Sequence, residues 1–147
     1  MTTALSGKVT LWVNRFLFFA LAVLCFTAYP LLVWYSGIQQ LPWQVSAAVL
    51  VGFYLCVPPA CVALWSIEKL LHNILSGQVF VTRNVSYVRR IRWCCAIVSG
   101  ICLPVAIFYP PLLFVVVMMA FLALMISVVK TVLAAAVELR EENDLTV

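Results

Sequence analysis

Phe16 to Ile67 reads FLFFALAVLCFTAYPLLVWYSGIQQLPWQVSAAVLVGFYLCVPPACVALWSI, 52 residues without one Asp, Glu, Lys, Arg or His. One membrane crossing takes roughly 20 apolar residues. The stretch is therefore too long for one helix and long enough for two. Ser36-Gly37-Ile38-Gln39-Gln40-Leu41-Pro42 divides it, because glycine and proline among polar residues mark a loop.

A second uncharged stretch runs from Trp93 to Val129 and, past Lys130, stays apolar to Val137. Tyr109-Pro110-Pro111 divides this one, since two adjacent prolines remove two backbone donors and end a helix. Lys130 then falls near the end of the last helix, where its long stem can carry the ammonium to the interface. The whole chain is consistent with this reading. Of 147 residues, 66% are hydrophobic and 10% charged, with a mean hydropathy of +1.14. A soluble domain carries about 25% charged residues and could not bury so much apolar surface at this length. The fold class predicted is all-α: a single four-span domain over 1–147, with a four-helix transmembrane bundle. The spans are predicted at 15–35, 43–66, 93–108 and 112–137, with a loop at 67–92 and a tail at 138–147. Helices are required because hydrocarbon offers no partner to an unpaired backbone group.

Charge gives the orientation. All nine Lys and Arg precede span one, lie between spans two and three, or follow from the end of span four. Four crossings put those segments on one side, which the positive-inside bias makes cytoplasmic. Trp12, Trp65 and Trp93 would mark the inner interface, and Trp34 and Trp43 the outer one. A cleaved signal peptide is the competing reading of the first span, but its apolar run exceeds the usual 7–15 residues and lacks a cleavage site. The two halves share no motif, so no inverted repeat is expected.

Chemistry is sparse. The six cysteines, at 25, 56, 61, 94, 95 and 102, include no Cys-x-x-Cys. They read as small apolar packing residues, with thiol redox chemistry the weakest of the functional readings. Spans one and three lack an acid at depth, which argues against a proton-coupled exporter. Glu68, beside Lys69, reads as half of an interfacial ion pair. His72 has no companion at ligand spacing, so no metal is expected. No catalytic triad, P-loop or dinucleotide fingerprint occurs. A non-enzymatic protein without a cofactor follows. Pro30, Pro58-Pro59 and Pro104 fall within helices and can kink them. Ala48-x-x-x-Gly52 and Ala96-x-x-x-Gly100 allow close helix approach.

The charged loop carries the most local information. Leu70, Leu71, Ile74 and Leu75 recur at helical spacing, Gly77 suits a C-terminal cap, and Asn84 suits the start of a second helix striped by Val85, Val88 and Ile91. Two amphipathic helices at the membrane surface are predicted, joined around 77–82. Arg83, Arg89, Arg90 and Arg92 are the candidate contacts for anionic headgroups or for a cytosolic partner. In the tail, Glu141, Glu142 and Asp144 are the matching acids. Because carboxylates oppose the macrodipole at a helix C-terminus, the last turn is expected to fray, with the arginines of 89–92 within electrostatic reach of the acids.

Leu70-Leu-His-Asn-Ile-Leu-Ser-Gly-Gln-Val-Phe80, Asn84-Val-Ser-Tyr-Val-Arg-Arg-Ile91 and Glu142-Asn-Asp-Leu-Thr-Val147 together resemble a bacterial family known as domain of unknown function 2975. The resemblance covers nearly the whole chain, with Val147 standing where isoleucine is more usual. It implies a four-helix bacterial inner-membrane protein without an assigned activity. It also implies a genetic neighbour, a small Cro/CI-type helix-turn-helix regulator, as a partner. The primary expectation is a regulatory or sensory membrane protein, termini cytoplasmic, that docks such a regulator through the loop and tail and makes no direct nucleic-acid contact. The alternative is a small transporter or channel subunit working as a homo-oligomer.

Overall fold

The computed structural model describes Thr2 to Thr146; Met1 and Val147, the ends of the expected domain and tail, lie outside the described residues. The described chain is four helices: α1 (Thr2–Gln39), α2 (Trp43–Leu75), α3 (Thr82–Phe108) and α4 (Leu112–Thr146). Each is long and apolar enough to cross a membrane. At about 1.5 Å per residue, the 38-residue α1 and 35-residue α4 reach well past a hydrocarbon layer of about 30 Å.

The turns lie where the breaking residues stand. Gln40 takes φ +50° between α1 and α2, and Pro42 precedes the first residue of α2. Tyr109 to Pro111 separates α3 from α4. The hydroxyls of Tyr35 and Tyr109 meet at 2.8 Å beside this turn. Pro30, Pro58, Pro59 and Pro104 all sit within continuous helix. Each missing N–H leaves the carbonyl four residues earlier without its usual partner. Close to the carbonyl freed by Pro30, the Tyr54 hydroxyl donates to the Cys25 carbonyl at 2.9 Å and ties α2 to α1.

The helices form an open row. α1 packs on α2, α2 on α3 and α3 on α4, and no other pair of helices is in contact among the described residues. The bundle expected from the sequence is thus not closed. Helices that are apolar all round carry no stripe to dictate which faces meet, and in lipid the choice falls to small residues and polar links. Gly52 is one such residue: a Cβ there would stand 2.9 Å from Cγ2 of Val105, so the Val105 side chain of α3 seats directly on the bare backbone of α2. Gly100 faces open space, so the glycine of the second motif meets no neighbouring helix among the described residues. The best-buried apolar side chains, Val88, Ile91, Cys94, Val98 and Ala106, lie on α3, with Val116 and Val137 on α4. None of the apolar window of α1 is buried.

The two amphipathic surface helices expected between spans two and three are not distinct elements: the first is the end of α2, which the leucine spacing extends, and the second is the start of α3. Residues 67–75 continue α2 and residues 82–92 continue α3, so only Ser76 to Val81 remains as connection.

Candidate functional site at the charged end

The connection after α2 is built on a glycine. Gly77 takes φ +79°, where any Cβ would be strained. Its N–H bonds the Ile74 carbonyl at 3.1 Å, and the next N–H, of Gln78, bonds the Asn73 carbonyl at 3.0 Å. That pair of bonds is the Schellman cap, which satisfies the last carbonyls of a helix with a left-handed residue just past its end.

Asn84 then locks the turn. It is fully buried, and its Nδ2 donates to the carbonyls of Gln78 at 2.7 Å and Val79 at 2.8 Å. Its Oδ1 accepts from Asn73 Nδ2 at 2.9 Å. The side chain does not cap α3 as the sequence suggested. The helix opens two residues earlier, at Thr82, after a Val81 that makes no side-chain cap bond. From inside the first turn the amide reaches back five and six residues to the loop. The pairing of Asn73 with Asn84 has one trace in the sequence, two amides flanking a glycine turn.

Beside this turn lies the end of α4. Gly77, Val79 and Phe80 on one side and Ala136, Leu139, Arg140 and Glu142 on the other line an open groove of about 870 Å³, with Asn143 and Thr146 also along it. The Arg140 guanidinium stands 5.9 Å from the centre of the Phe80 ring, within range of a cation–π contact. The acidic tail is helical through Thr146, with the Thr146 hydroxyl donating to the Glu142 carbonyl. The fraying expected from the macrodipole is not seen, because adding a turn to an existing helix gains one bond per residue fixed, against a dipole effect of about 0.3–1 kcal/mol.

No ion pair joins the candidate arginines to the candidate acids among the described residues. Arg92 Nη1 donates to Ser127 Oγ at 3.4 Å, which places it level with the middle of α4. Glu141 lies roughly 20 Å further along α4 at ~1.5 Å per residue, and Glu142 and Asp144 further still. Arg90 lies over the Tyr87 ring and Arg92 over the Trp93 ring, each at 5.9 Å. Arg83 and Arg89 are exposed and make no side-chain bond among the described residues. Glu141, Glu142 and Asp144 are likewise exposed.

The ion pair present among the described residues joins Arg15 Nε to Glu68 Oε1 at 3.2 Å, across α1 and α2. Glu68 therefore pairs across helices and not with the adjacent Lys69. With the arginine side chain 67% exposed, the pair contributes only about 0–1 kcal/mol. One turn along, the buried Asn14 donates from Nδ2 to the Leu64 carbonyl at 3.2 Å. Its position at the edge of the uncharged stretch was the sequence signal for it.

Cysteines come together in one place. Cys56 Sγ of α2 lies 3.9 Å from Cys102 Sγ of α3, a proximity that spacing along the chain could not reveal. No group of three or more His, Cys, Asp or Glu positioned for a metal occurs among the described residues.

Comparison with curated proteins gives no match, and comparison with solved structures gives none either. A family model does match, over residues 16–147, which is most of the chain and includes the turn, the clamp and the described tail; the chain belongs to the family described as protein of unknown function DUF2975.

Proposed function

We propose that this is a non-enzymatic, multi-pass protein of the bacterial cytoplasmic membrane, with both termini inside, that holds a cytosolic regulatory protein at its charged end. The observation that carries the reading is the groove between the Gly77–Phe80 turn and the end of α4. A buried three-bond clamp holds one wall of it, and apolar Phe80, Val79 and Leu139 alternate with Arg140 and Glu142 along it. An apolar floor with a few placed charges is what a peptide or helix needs for anchoring and orientation. The orientation rests on the nine Lys and Arg, which all lie toward this end. The partner of first choice is the small helix-turn-helix regulator that the family resemblance implies, with the membrane protein sequestering or releasing it in response to a signal.

The test is co-expression of that regulator with the full-length chain, followed by membrane fractionation. The regulator should sediment with membranes containing the wild type and return to the soluble fraction with Phe80→Glu or Leu139→Glu. A regulator that stays soluble beside the wild type would sink the proposal.

A small oligomeric transporter or channel subunit is the second reading, favoured by the open row. α1 touches one neighbour only, so both ends of the row are free to meet another copy. A monomeric mass in gentle detergent, unchanged after crosslinking in native membranes, would remove it.

A further inference from the structure

Between α3 and α4, on the lipid side of their contact, runs a cleft of about 450 Å³. Ala96 and Ser99 of α3 and Ala120, Ala123 and Leu124 of α4 line it, and Arg92 and Ser127 stand at its mouth toward the charged end. The small residues leave a channel rather than a packed seam. Ser99 is satisfied internally, donating to the Val116 carbonyl at 3.3 Å, so the walls make no polar demand on an occupant.

The mouth is the opposite. Arg92 is half-buried, and its one side-chain hydrogen bond among the described residues goes to Ser127 at 3.4 Å. A guanidinium has five N–H donors, so most of them lack a protein acceptor. Lys130 lies one turn along from Ser127, half-buried, on the same stripe of α4 as Ala123 and Ser127. A helical Cβ leans toward the helix N-terminus, which carries the Lys130 stem back toward Ser127. Among the described residues no carboxylate pairs with these two cations: Glu68 is paired with Arg15, and the first acid of α4, Glu138, is about 12 Å beyond Lys130 at ~1.5 Å per residue. Trp93, exposed beside Arg92 and under its guanidinium, is the residue type that sits at headgroup level.

We propose that this cleft is a binding site for one anionic phospholipid of the leaflet that meets the charged end, its phosphate on Arg92 and Lys130 and one acyl chain between Ala96, Ser99, Ala120 and Ala123. The charge at the mouth selects the headgroup, because guanidinium and phosphate pair through two parallel hydrogen bonds. The apolar channel selects a lipid over a free phosphate. Occupancy fills the cleft between α3 and α4 and couples the charged end to the lipid composition of that leaflet.

Native mass spectrometry of the full-length protein in nonionic detergent, titrated with phosphatidylglycerol or phosphatidylcholine, tests this. The wild type should retain a single phosphatidylglycerol in preference to phosphatidylcholine. Arg92→Gln should lower that preference about fivefold, the effect of one cation at a headgroup. Ala96→Leu, an exposed position where added bulk enters the channel without disturbing the buried contact, should lower retention of the lipid while Arg92 remains. Arg89→Gln, an exposed arginine outside the cleft, should change nothing. Equal retention of the two lipids, or equal losses from Arg89→Gln and Arg92→Gln, would mean diffuse surface attraction and would overturn the site. So would competition by soluble glycerophosphate, or a dimer that Ala96→Leu dissociates.

Discussion

Asn84→Ala is the substitution whose effect can be worked out most fully. The side chain makes three hydrogen bonds, at 2.7, 2.8 and 2.9 Å, from a position with no exposure. A net value of about 1 kcal/mol per bond, with up to about 1 more for the half-buried Asn73 amide left unpaired, gives a loss of roughly 2–4 kcal/mol. The lower figure applies if water reaches the carbonyls of Gln78 and Val79, which the exposure of Gln78 favours. The loss is local: it falls on the opening of the turn and the first turn of α3, not on insertion of the helices. Hydrogen exchange followed by mass spectrometry, on protein in nanodiscs, reads it directly. Amides of Gly77, Gln78 and Asn84 should exchange roughly thirty- to several-hundredfold faster, at 1.4 kcal/mol per decade, while the middle of α2 and α3 is unchanged. Asn84→Asp should be worse than alanine, because a carboxylate cannot donate and would face two carbonyl oxygens within hydrogen-bonding distance. Unchanged exchange through 76–84 in both variants, or acceleration spread evenly over all four helices, would refute the clamp.

Other expectations follow from single contacts. Gly52→Ala should destabilise the α2–α3 seam by about 1–3 kcal/mol through overpacking on Val105, whereas Gly100→Ala, with nothing near it, should be neutral or gain up to about 1 kcal/mol in helix propensity; thermal unfolding in detergent compares the two. Mild oxidation should consume the thiols of Cys56 and Cys102 together, as one intrachain disulfide found by peptide mass mapping, and Cys102→Ala should leave Cys56 reduced. The hydrogen bond from Tyr35, followed by burial, pushes the Tyr109 phenol up from its ordinary value. Its contribution is therefore complete below the free phenol's pKa near 10 and is lost as pH rises through the higher folded value; Tyr35→Phe should move the onset of tyrosinate absorbance to lower pH. Single cysteines at Gly37, Gly77 and Thr146, in a background with the native thiols removed, should be labelled from outside at the first position only, and outside labelling at Gly77 would reverse the orientation.

What the sequence revealed depended on how local the physics is. Hydrocarbon length and the absence of charge locate four crossings, and a glycine with φ > 0 caps α2 through bonds to residues three and five back; both are readable from a short window. Asn84 was legible as an important polar residue but not in its role, because capping rules consider the two or three residues after an amide and this one bonds residues before it. The row could not be read, since helices apolar on every side leave the choice of neighbours to details such as the bare backbone at Gly52 and the Tyr54 hydroxyl. Pairing of Glu68 with Arg15 across helices, instead of with Lys69 beside it, has the same origin. No ion pair joins these arginines to the tail acids among the described residues, and register is the reason: the three-residue turn at Tyr109–Pro111 sets Arg92 beside Ser127, and α4, with 35 residues against 27 in α3, carries its last acids past the start of α3.

The open row also bears on how the chain assembles. Every helix contact is made with the preceding or following helix, so contact order is low for a four-helix protein and each loop closed is a short one. A nascent chain can dock α2 on α1 and α3 on α2 in the order they are synthesised, and no early helix must wait in lipid for a late partner. The largest apolar seam and the charged-end groove both need α4, so they form last. Chains stalled or truncated before Leu112 should thus insert and pair their first helices yet present α3, which carries most of the buried apolar side chains, bare to the bilayer, a recognisable mark for quality-control proteases.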